Sequence, residues 1–302
     1  MPAPRLTYLV NTYNKLPFLR HALPRLLDEV EDDEEVVVVD GSSSDGTQDF
    51  IASLQKDHRI DQFTSEKDAG EAHGWNRGML RARGDLIKLI SDDDVFHYPA
   101  IRVCRTFMED HPEIDVLWSQ GAGLQLGSRS LPSAGNDGVS FRRWKEGKGP
   151  LFLCGLGLMF RRSSLAMTGL FNTSSKRIDA ELSLRLSTSR CKQVWYASPL
   201  FVRLENPQSN AVKFGRRMLR EEVAFKASHH LLSGTLPRLD ETVGLARLSL
   251  RSALSTVADG VTGGSRKLHN PCTDGDIETA YDTSAKWLAE EFSRSSLEAC
   301  FE

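Results

Sequence analysis

Four consecutive valines at positions 36–39 lead directly into Asp40. An unbroken β-branched run is typical of a parallel strand covered on both faces, because a strand with one wet face would alternate with polar residues. Parallel strands need long crossover connections, which are usually helices. The valine run therefore predicts a layered α/β domain.

The first 120 residues alternate between strand-like and helical patterns, as such a domain requires. The predicted strands cover residues 6–10, 34–39, 60–63, 86–90 and 114–118, and the predicted helices cover residues 15–30, 49–55, 70–83 and 99–110. This order predicts a mostly parallel central sheet with helices on both faces.

The pattern changes in the second half of the chain. Residues 121–149 are rich in Gly, Ser and Pro and predict a long loop. The elements predicted after it are strands at 155–160 and 193–197, helices at 162–168, 178–186, 216–232, 239–258 and 280–292, and a Gly/Ser-rich link at 259–275. We therefore expect one main domain over residues 1–213 and a helical C-terminal extension over residues 214–302.

Composition narrows the classes of function. The formal net charge is −3, which gives no general attraction to nucleic acid. No stretch approaches the ~20 apolar residues of a membrane span, and no signal segment precedes the first strand. The five cysteines are dispersed without metal-ligand spacing, which suits a reducing compartment. We expect a cytoplasmic protein with no nucleic-acid partner, which meets the inner face of the membrane, if at all, by peripheral contact.

The strongest chemical signal is the triplet Asp92, Asp93 and Asp94, directly after the apolar strand 86–90. Three adjacent carboxylates repel one another, and a hard divalent cation that prefers oxygen ligands would neutralise them. Open α/β sheets bind ligands at this end of their strands. A solvated acidic turn or a helix N-cap explains the triplet alone equally well.

A second carboxylate, Asp40, also ends a buried strand and is followed by small residues that permit close approach of a ligand. It can accept a hydrogen bond from a base N–H or a ribose hydroxyl. The spacing around it imitates a calcium loop, but the glycines are out of register and Ile51 stands at position twelve. Asp45 or Thr47 is expected to cap the next helix.

Two helical segments carry further candidates. Asn76 and Arg77 are adjacent on the helix at 70–83, so they face different sides of it. In the helix at 178–186, Glu181 and Arg185 are spaced to pair. Asp179 then has no local partner, so it can act as a general base, although a contact with the helix dipole is the simpler explanation.

Taken in order, these segments resemble family 2 of the inverting glycosyltransferases, which have the GT-A fold, a Rossmann-like nucleotide-diphospho-sugar transferase fold. The resemblance covers roughly the first two-thirds of the chain. The matching positions are Thr12-Tyr13-Asn14, residues 39–47, Asp68-Ala69-Gly70, Asn76-Arg77-Gly78, Gly84-Asp85, residues 91–94, residues 159–162 and Gly169-Leu170-Phe171. The helix at 179–185 resembles the family's acidic motif that carries the base.

The resemblance implies a role for each site residue. Asp179 would be the catalytic base that deprotonates the acceptor hydroxyl. Donor contacts are implied for Thr12, Tyr13, Asn14, Asp40, Ser42, Asp68, Asn76, Arg77, Asp92 and Asp93. Within that set, Thr12 and Asp40 would contact the nucleoside and Arg77 the diphosphate. Asp92 and Asp94 would hold Mn²⁺ or Mg²⁺.

Two features depart from the family pattern. The triple Asp leaves the register of the metal motif ambiguous by one residue. Many members also carry a metal-binding His after the last strand, whereas residues 201–206 contain no His. Either Glu205 substitutes for that ligand or the ligand is absent.

The resemblance also implies the reaction. A metal-dependent inverting glycosyltransferase would move a sugar from a nucleotide-diphosphate sugar, with UDP-sugars favoured, to a hydroxyl of a glycan, lipid-linked or protein acceptor. This would serve polysaccharide or glycoconjugate biosynthesis. Residues 1–120 would bind the donor and residues 121–213 the acceptor. The C-terminal helices could cover the acceptor cleft, form a homo-oligomer or lie on a membrane.

Two other functions compete with this one. A sugar-nucleotide nucleotidylyltransferase would need a Gly-rich phosphate loop after the first strand, but residues 10–15 contain no glycine. A non-catalytic module that binds sugar nucleotides would not need the base, and the intact carboxylates at 92–94 and 179 argue against a decayed site.

Overall fold

The computed structural model describes residues 3–57, 59–128, 130–205, 210–228, 273–295 and 301–302. The strands are β1 (Leu6–Thr12), β2 (Glu34–Asp40), β3 (Gln62–Ser65), β4 (Leu86–Ser91), β5 (Val95–Phe96), β6 (Val116–Gln125), β7 (Ser133–Ala134), β8 (Met159–Arg161) and β9 (Gln193–Glu205). The helices are α1 (Leu16–Leu27), α2 (Thr47–Lys56), α3 (Glu71–Arg81), α4 (Tyr98–Asp110), α5 (Asp137–Lys145), α6 (Leu165–Thr168), α7 (Ile178–Ser187), α8 (Asn210–Ser228) and α9 (Asp274–Arg294).

Within these residues the strands form one mixed sheet in the order β3-β2-β1-β4-β8-β6-β9-β5, with β7 paired to β6. The first four strands of that order are parallel. Strand β8 runs antiparallel to both of its neighbours, and β6 and β9 are parallel to each other. The predicted α/β fold is confirmed, and the parallel part of its sheet is formed by β3, β2, β1 and β4.

The valine run explains why the sheet is covered on both faces. Val36 and Val38 belong to one hydrophobic core, whereas Val37 and Val39 belong to the core on the other face. All four side chains are fully buried. Burial of such a side chain stabilises a fold by about 1.5–3 kcal/mol, so the run holds both layers to the sheet.

The loop predicted at residues 121–149 is wrong in part. Strand β6 continues to Gln125, and β7 and α5 follow within the same segment. Strand β9 likewise extends to Glu205, and it pairs with β6 along its length. A Cβ at Gly121 would lie 2.1 Å from the ring of Phe201. Glycine is required at this position because an aromatic ring packs on the strand. Composition alone suggested a loop for this segment.

The residues of the C-terminal extension that the structure describes are mainly helical, as predicted, with different bounds. Helix α9 begins inside the predicted link, where Thr273 and Asp276 form a reciprocal capping box. It packs on β9, β5 and α1. The predicted boundary at residue 213 falls inside α8, and the helix predicted at 239–258 lies outside the described residues. In the part of the chain that the structure covers, no helix is both long enough and apolar enough to cross a membrane.

Candidate active site

Three strands end side by side at one edge of the sheet. Strand β1 lies between β2 and β4, and all three are parallel. Thr12 lies beside Asp40 at the end of β2, and Asn11 lies beside Ser91 at the end of β4. Because neighbouring strands are about 4.8 Å apart, Asp40 and the residues after Ser91 border the same edge. This is the edge at which open α/β sheets bind ligands.

The acidic turn, defined as Asp92, Asp93 and Asp94, carries more negative charge than its neighbours offset. Asp93 forms an ion pair with Lys15. Burial lowers the pKa of Lys15, but the carboxylates outweigh burial and its pKa is raised. Burial and the charge of Asp93 raise the pKa of Asp92 to about 7, although Lys15 and the Thr12 hydroxyl oppose this. Burial and Asp93 also raise the pKa of Asp94.

Asp94 is anchored from two sides. Its Oδ2 accepts a hydrogen bond from the Ser91 hydroxyl at 2.5 Å, and its Oδ1 accepts one from the backbone N–H of Leu204 at 2.8 Å. The acidic turn is therefore attached to the end of its own strand and to β9. Each carboxylate oxygen has two lone pairs, so Asp94 keeps capacity for a further ligand.

A divalent cation fits the acidic turn by charge and by ligand type. Lys15 pairs with Asp93, so Asp92 and Asp94 remain as carboxyl groups whose ionised form a cation would stabilise. Among the residues that the structure describes, no three His, Cys, Asp or Glu side chains converge as a complete metal cage. Mg²⁺ is commonly held by one or two carboxylates together with substrate phosphates, so Asp92 and Asp94 fit that mode. Glu205 instead pairs with Arg203 at 2.9 Å.

Tyr13, Gly41 and Asp68 converge beside the end of β2. A Cβ at Gly41 would lie 3.1 Å from both Asp68 Oδ2 and the Tyr13 ring, so glycine lets these side chains close in on the backbone. The Tyr13 side chain is 59% exposed. Asp68 accepts a hydrogen bond from the N–H of Gly70 at 2.9 Å. An exposed ring beside a carboxylate suits a flat ligand that carries N–H donors.

Asp40 is buried and already hydrogen-bonded. Its Oδ2 accepts hydrogen bonds from the N–H of Ser43 at 2.9 Å and from the hydroxyl of Ser65 at 2.6 Å. The N–H of Asn14 in turn donates to the Ser43 hydroxyl at 2.8 Å. Asn14 and Ser42 both have positive φ, 49° and 69°. This backbone conformation is uncommon for residues other than glycine. Asp40 therefore braces two tightly turned loops at the strand ends.

Asn76 and Arg77 also make contacts inside the protein. The Asn76 amide both donates to and accepts from the backbone of Phe171 at 2.8 Å. Arg77 donates to the carbonyl of Asp40 at 3.2 Å and pairs with Glu66 at 3.2 Å. Asn76 thus attaches α3 to the segment before α7, and Arg77 ties α3 to β2. Their predicted contacts with a donor stay predictions.

Asp179 lies in the first turn of α7 and is largely buried. Burial raises its pKa, whereas the backbone N–H of Gly155 and the charges of Arg177 and Arg203 stabilise the ionised form. A Cβ at Gly155 would lie 2.6 Å from Asp179 Oδ1, so glycine is required for this approach. A carboxylate with a raised pKa and a fixed orientation has the properties of a general base.

Lys88 of β4 holds the turn that contacts Asp179. Its ammonium is fully buried and donates to the carbonyls of Leu156 and Leu158, the latter at 3.2 Å. Leu156 lies within a 3₁₀ turn over Gly155–Gly157, and Leu158 directly follows it. Burial lowers the pKa of Lys88 to about 7. The sequence analysis missed this residue because a single Lys in an apolar strand carries no motif.

Arg203 was also missed, and it connects the two halves of the site. Burial lowers its pKa, but the pair with Glu205 and the charge of Asp94 are among the effects that outweigh burial and raise it. It also acts on Asp179. Arg203 is therefore within electrostatic reach of both the acidic turn and the candidate base. No sequence signal marks it, because its place follows from the extension of β9.

A cavity of about 330 Å³ opens beside Arg203. Its polar lining residues are Gln125, Ser133, Asp137, Cys154, Arg203 and Glu205. Burial raises the pKa of Asp137, although a backbone hydrogen bond from Cys154 and the charge of Arg203 oppose this. The charge of Asp179 helps to raise the pKa of both Asp137 and Cys154, so the cavity that they line is near the candidate base.

The sheet order, the acidic turn and the buried carboxylate at the start of α7 define a glycosyltransferase of the GT-A class. The family model described as Glycosyl transferase family 2 matches residues 7–167, which is more than half of the chain. The chain therefore belongs to glycosyl transferase family 2. The predicted family is confirmed, and the alternatives of a nucleotidylyltransferase and a non-catalytic module receive no support.

Relatives and solved structures agree with this assignment. A Campylobacter jejuni GalNAc(5)-diNAcBac-PP-undecaprenol beta-1,3-glucosyltransferase is 32% identical over 93 residues, which are 30% of this chain and 30% of that protein. Uncharacterized glycosyltransferases of Rickettsia are matched over less than a fifth of their own length.

Two solved structures share the fold. A mannosyltransferase from Pyrobaculum calidifontis in complex with GDP-Man and Mn²⁺ has a TM-score of 0.55 and 20% identity, over 97% of this chain and 87% of that chain. S. aureus TarS 1-349 in complex with UDP-GlcNAc has a TM-score of 0.54 and 14% identity, over 78% of this chain and 69% of that chain. At these identities the likeness concerns the fold alone.

Proposed function

We propose that this protein is a metal-dependent inverting glycosyltransferase that moves a sugar from a nucleotide-diphosphate sugar to an acceptor hydroxyl. The observation that carries the proposal is the charge balance of the acidic turn. Three carboxyl groups and one ammonium meet at the strand edge that also holds Asp40. A divalent cation would supply the positive charge that this arrangement lacks, and a diphosphate would bind with it.

For the donor we propose a nucleoside subsite at Tyr13, Gly41 and Asp68. The exposed Tyr13 ring would stack on the base, and Asp68 would accept a hydrogen bond from it or from the sugar. UDP-sugars are favoured. One structural neighbour holds UDP-GlcNAc and another holds GDP-Man, so both complexes contain a nucleotide-diphosphate sugar. Asp40 would act mainly by fixing the loop at Ser43.

Asp92 and Asp94 would hold Mn²⁺ or Mg²⁺, and Asp93 would stay paired with Lys15. The cation supplies electrostatic stabilisation of the negative charge that develops on the leaving diphosphate, an effect worth several kcal/mol. The pair Lys15–Asp93 keeps the third carboxylate from repelling the diphosphate. Leu204 and Ser91 keep Asp94 in place through their hydrogen bonds.

Asp179 would take the proton from the acceptor hydroxyl. Its raised pKa lies closer to the pH at which the enzyme operates, as suits a general base. The backbone of Gly155 orients the carboxylate. Positioned base catalysis contributes about 10²–10⁴-fold. A single displacement by the activated hydroxyl inverts the anomeric configuration.

The acceptor would enter the cavity beside Arg203. Its lining combines the carboxylates Asp137 and Glu205 with donors on Arg203 and Gln125, and such mixed groups recognise hydroxyl-rich ligands. We propose a glycan, lipid-linked or protein acceptor in polysaccharide or glycoconjugate biosynthesis. A relative that acts on an undecaprenol-linked glycan supports a lipid-linked glycan among these.

The test is a donor screen with product analysis. The protein is incubated with a panel of nucleotide sugars and Mn²⁺, and the released nucleotide is identified. We expect release of a nucleoside diphosphate, and a product whose anomeric configuration is opposite to that of the donor by NMR. Release of pyrophosphate would indicate nucleotidyl transfer instead, and a product with retained configuration would exclude the single-displacement mechanism.

A further inference from the structure

Helix α9 brings one tyrosine from the C-terminal extension to the acidic turn. Tyr281 is 1% exposed and belongs to a small hydrophobic core with Phe18, Val95 and Leu204. Two of these partners adjoin the acidic turn. Val95 follows Asp94 in sequence, and the backbone N–H of Leu204 donates to Asp94. Tyr281 therefore belongs to the hydrophobic core that adjoins the turn.

The ring of Tyr281 is fixed by helix α1. The His21 ring stacks on it with centroids 5.7 Å apart, and the Arg25 guanidinium lies 5.3 Å from its centroid. The same two residues pair with α9, since His21 contacts Asp274 and Arg25 contacts Asp282, both at 2.8 Å. Because its ring contacts both of these residues, the hydroxyl of Tyr281 has a defined position.

That hydroxyl has no hydrogen-bond partner among the residues that the structure describes. Burial raises the pKa of Tyr281, and the charges of Asp93, Asp94 and Asp92 raise it further, as expected for a phenol that shares a low-dielectric region with the acidic turn. Buried polar groups in native proteins nearly always have a partner. An orphaned donor next to three carboxyl groups implies a partner that appears with a ligand.

We propose that Tyr281 is a positioning residue of the donor site, whose O–H donates a hydrogen bond to the acidic turn when a divalent cation and a diphosphate are bound there. This inference rests on the proposed function, because it requires the cation. It assigns to the C-terminal extension a part in donor binding. A phenol with a raised pKa stays protonated and keeps its donor at neutral pH.

The test compares Mn²⁺ uptake by wild-type protein, Tyr281→Phe and Ser284→Ala, measured by EPR of free Mn²⁺ in the presence of UDP. Tyr281→Phe keeps the packed ring and removes only the hydroxyl. Ser284 is the matched control, because its hydroxyl lies on the same helix, is fully buried and also lacks a partner. We expect Tyr281→Phe to weaken Mn²⁺ binding about tenfold, as for loss of one hydrogen bond to a charged group.

A second readout is thermal unfolding with and without Mn²⁺ and UDP. Without ligand, Tyr281→Phe should be at least as stable as wild type, because the hydroxyl it lacks is unpaired. With ligand, wild type and Ser284→Ala should gain more stability than Tyr281→Phe. Equal Mn²⁺ affinity in wild type and Tyr281→Phe, or equal weakening in both variants, would overturn the inference alone. Wild-type protein that takes up no Mn²⁺ would overturn the proposed function as well.

Discussion

The backbone N–H of Leu204 donates a 2.8 Å hydrogen bond to the carboxylate of Asp94, 110 residues away in the chain. This bond joins strand β9 to the acidic turn. The residue before Leu204 is Arg203, whose charge acts on both Asp94 and Asp179. One strand thus aligns the proposed metal site with the proposed base, and the predictions below test that arrangement.

Replacement of the proposed base should remove turnover and spare donor binding. We expect Asp179→Asn to lower kcat by about 10²–10⁴-fold, because the acceptor hydroxyl keeps its proton. The donor Kd from calorimetry should stay within about twofold of wild type, since Asp179 belongs to the acceptor side. Glu181→Gln is the control on the same helix, where Glu181 pairs with Arg185. Loss of donor binding in Asp179→Asn would show that the base is misassigned.

The pH profile should report the base. Because burial raises the pKa of Asp179, kcat should fall on the acid side at a higher pH than an ordinary aspartate would give. Arg203 stabilises the ionised form, so Arg203→Gln should raise the pKa of Asp179 and move this acid limb to higher pH. The measurement is kcat against pH at saturating donor and Mn²⁺. A limb that moves to lower pH, or not at all, would contradict the placement of Arg203.

Removal of metal should abolish transfer reversibly. We expect a chelator to stop turnover, and Mn²⁺ or Mg²⁺ to restore it, because the diphosphate leaving group then regains its electrostatic stabilisation. Asp92→Asn and Asp94→Asn should each raise the Mn²⁺ concentration required for half-maximal activity. Full turnover in the presence of chelator would eliminate the metal from the mechanism.

A single methyl group at position 155 should displace the base. A Cβ there would lie 2.6 Å from Asp179 Oδ1, so Gly155→Ala should push the carboxylate aside and lower kcat by about 10²-fold, the size of a misplaced catalytic group. Gly149→Ala is the matched control, because its nearest neighbour atom is 3.9 Å away. Comparable activity in the two variants would contradict the prediction that a methyl group at position 155 displaces Asp179.

Lys88 should give the protein an unusual stability profile on the alkaline side. The pKa of Lys88 is about 7 in the folded protein, whereas an exposed lysine has a pKa of 10.5. Between these pH values the unfolded chain therefore carries a proton on Lys88 that the folded protein lacks. Stability should therefore rise with pH over this window, relative to Lys88→Met, by up to about 1 kcal/mol per pH unit. Urea unfolding at pH 7, 8 and 9 measures this. Parallel pH dependence in both proteins would contradict the lowered pKa.

Much of the N-terminal half could be predicted because its signals are local. The valines at 36–39 read as a doubly covered strand, and Val36 and Val37 indeed face different cores. Asp40 and Asp92 follow apolar strands, so their common edge follows from the rule that parallel strands end together. The hydrogen bonds of these carboxylates could not be predicted, because Asp40 accepts one from the hydroxyl of Ser65 on another strand.

The sequence by itself determined the α/β class, the positions of the carboxylates at strand ends and the family. Only the tertiary structure decided that β9 extends to Glu205, that Arg203 interacts with both Asp94 and Asp179, and that Tyr281 joins the core that adjoins the acidic turn. The physical reason is the separation along the chain over which each effect acts. Periodicity and strand-end chemistry act between residues close in the chain, whereas strand pairing, burial and charge coupling act between residues that folding alone brings together.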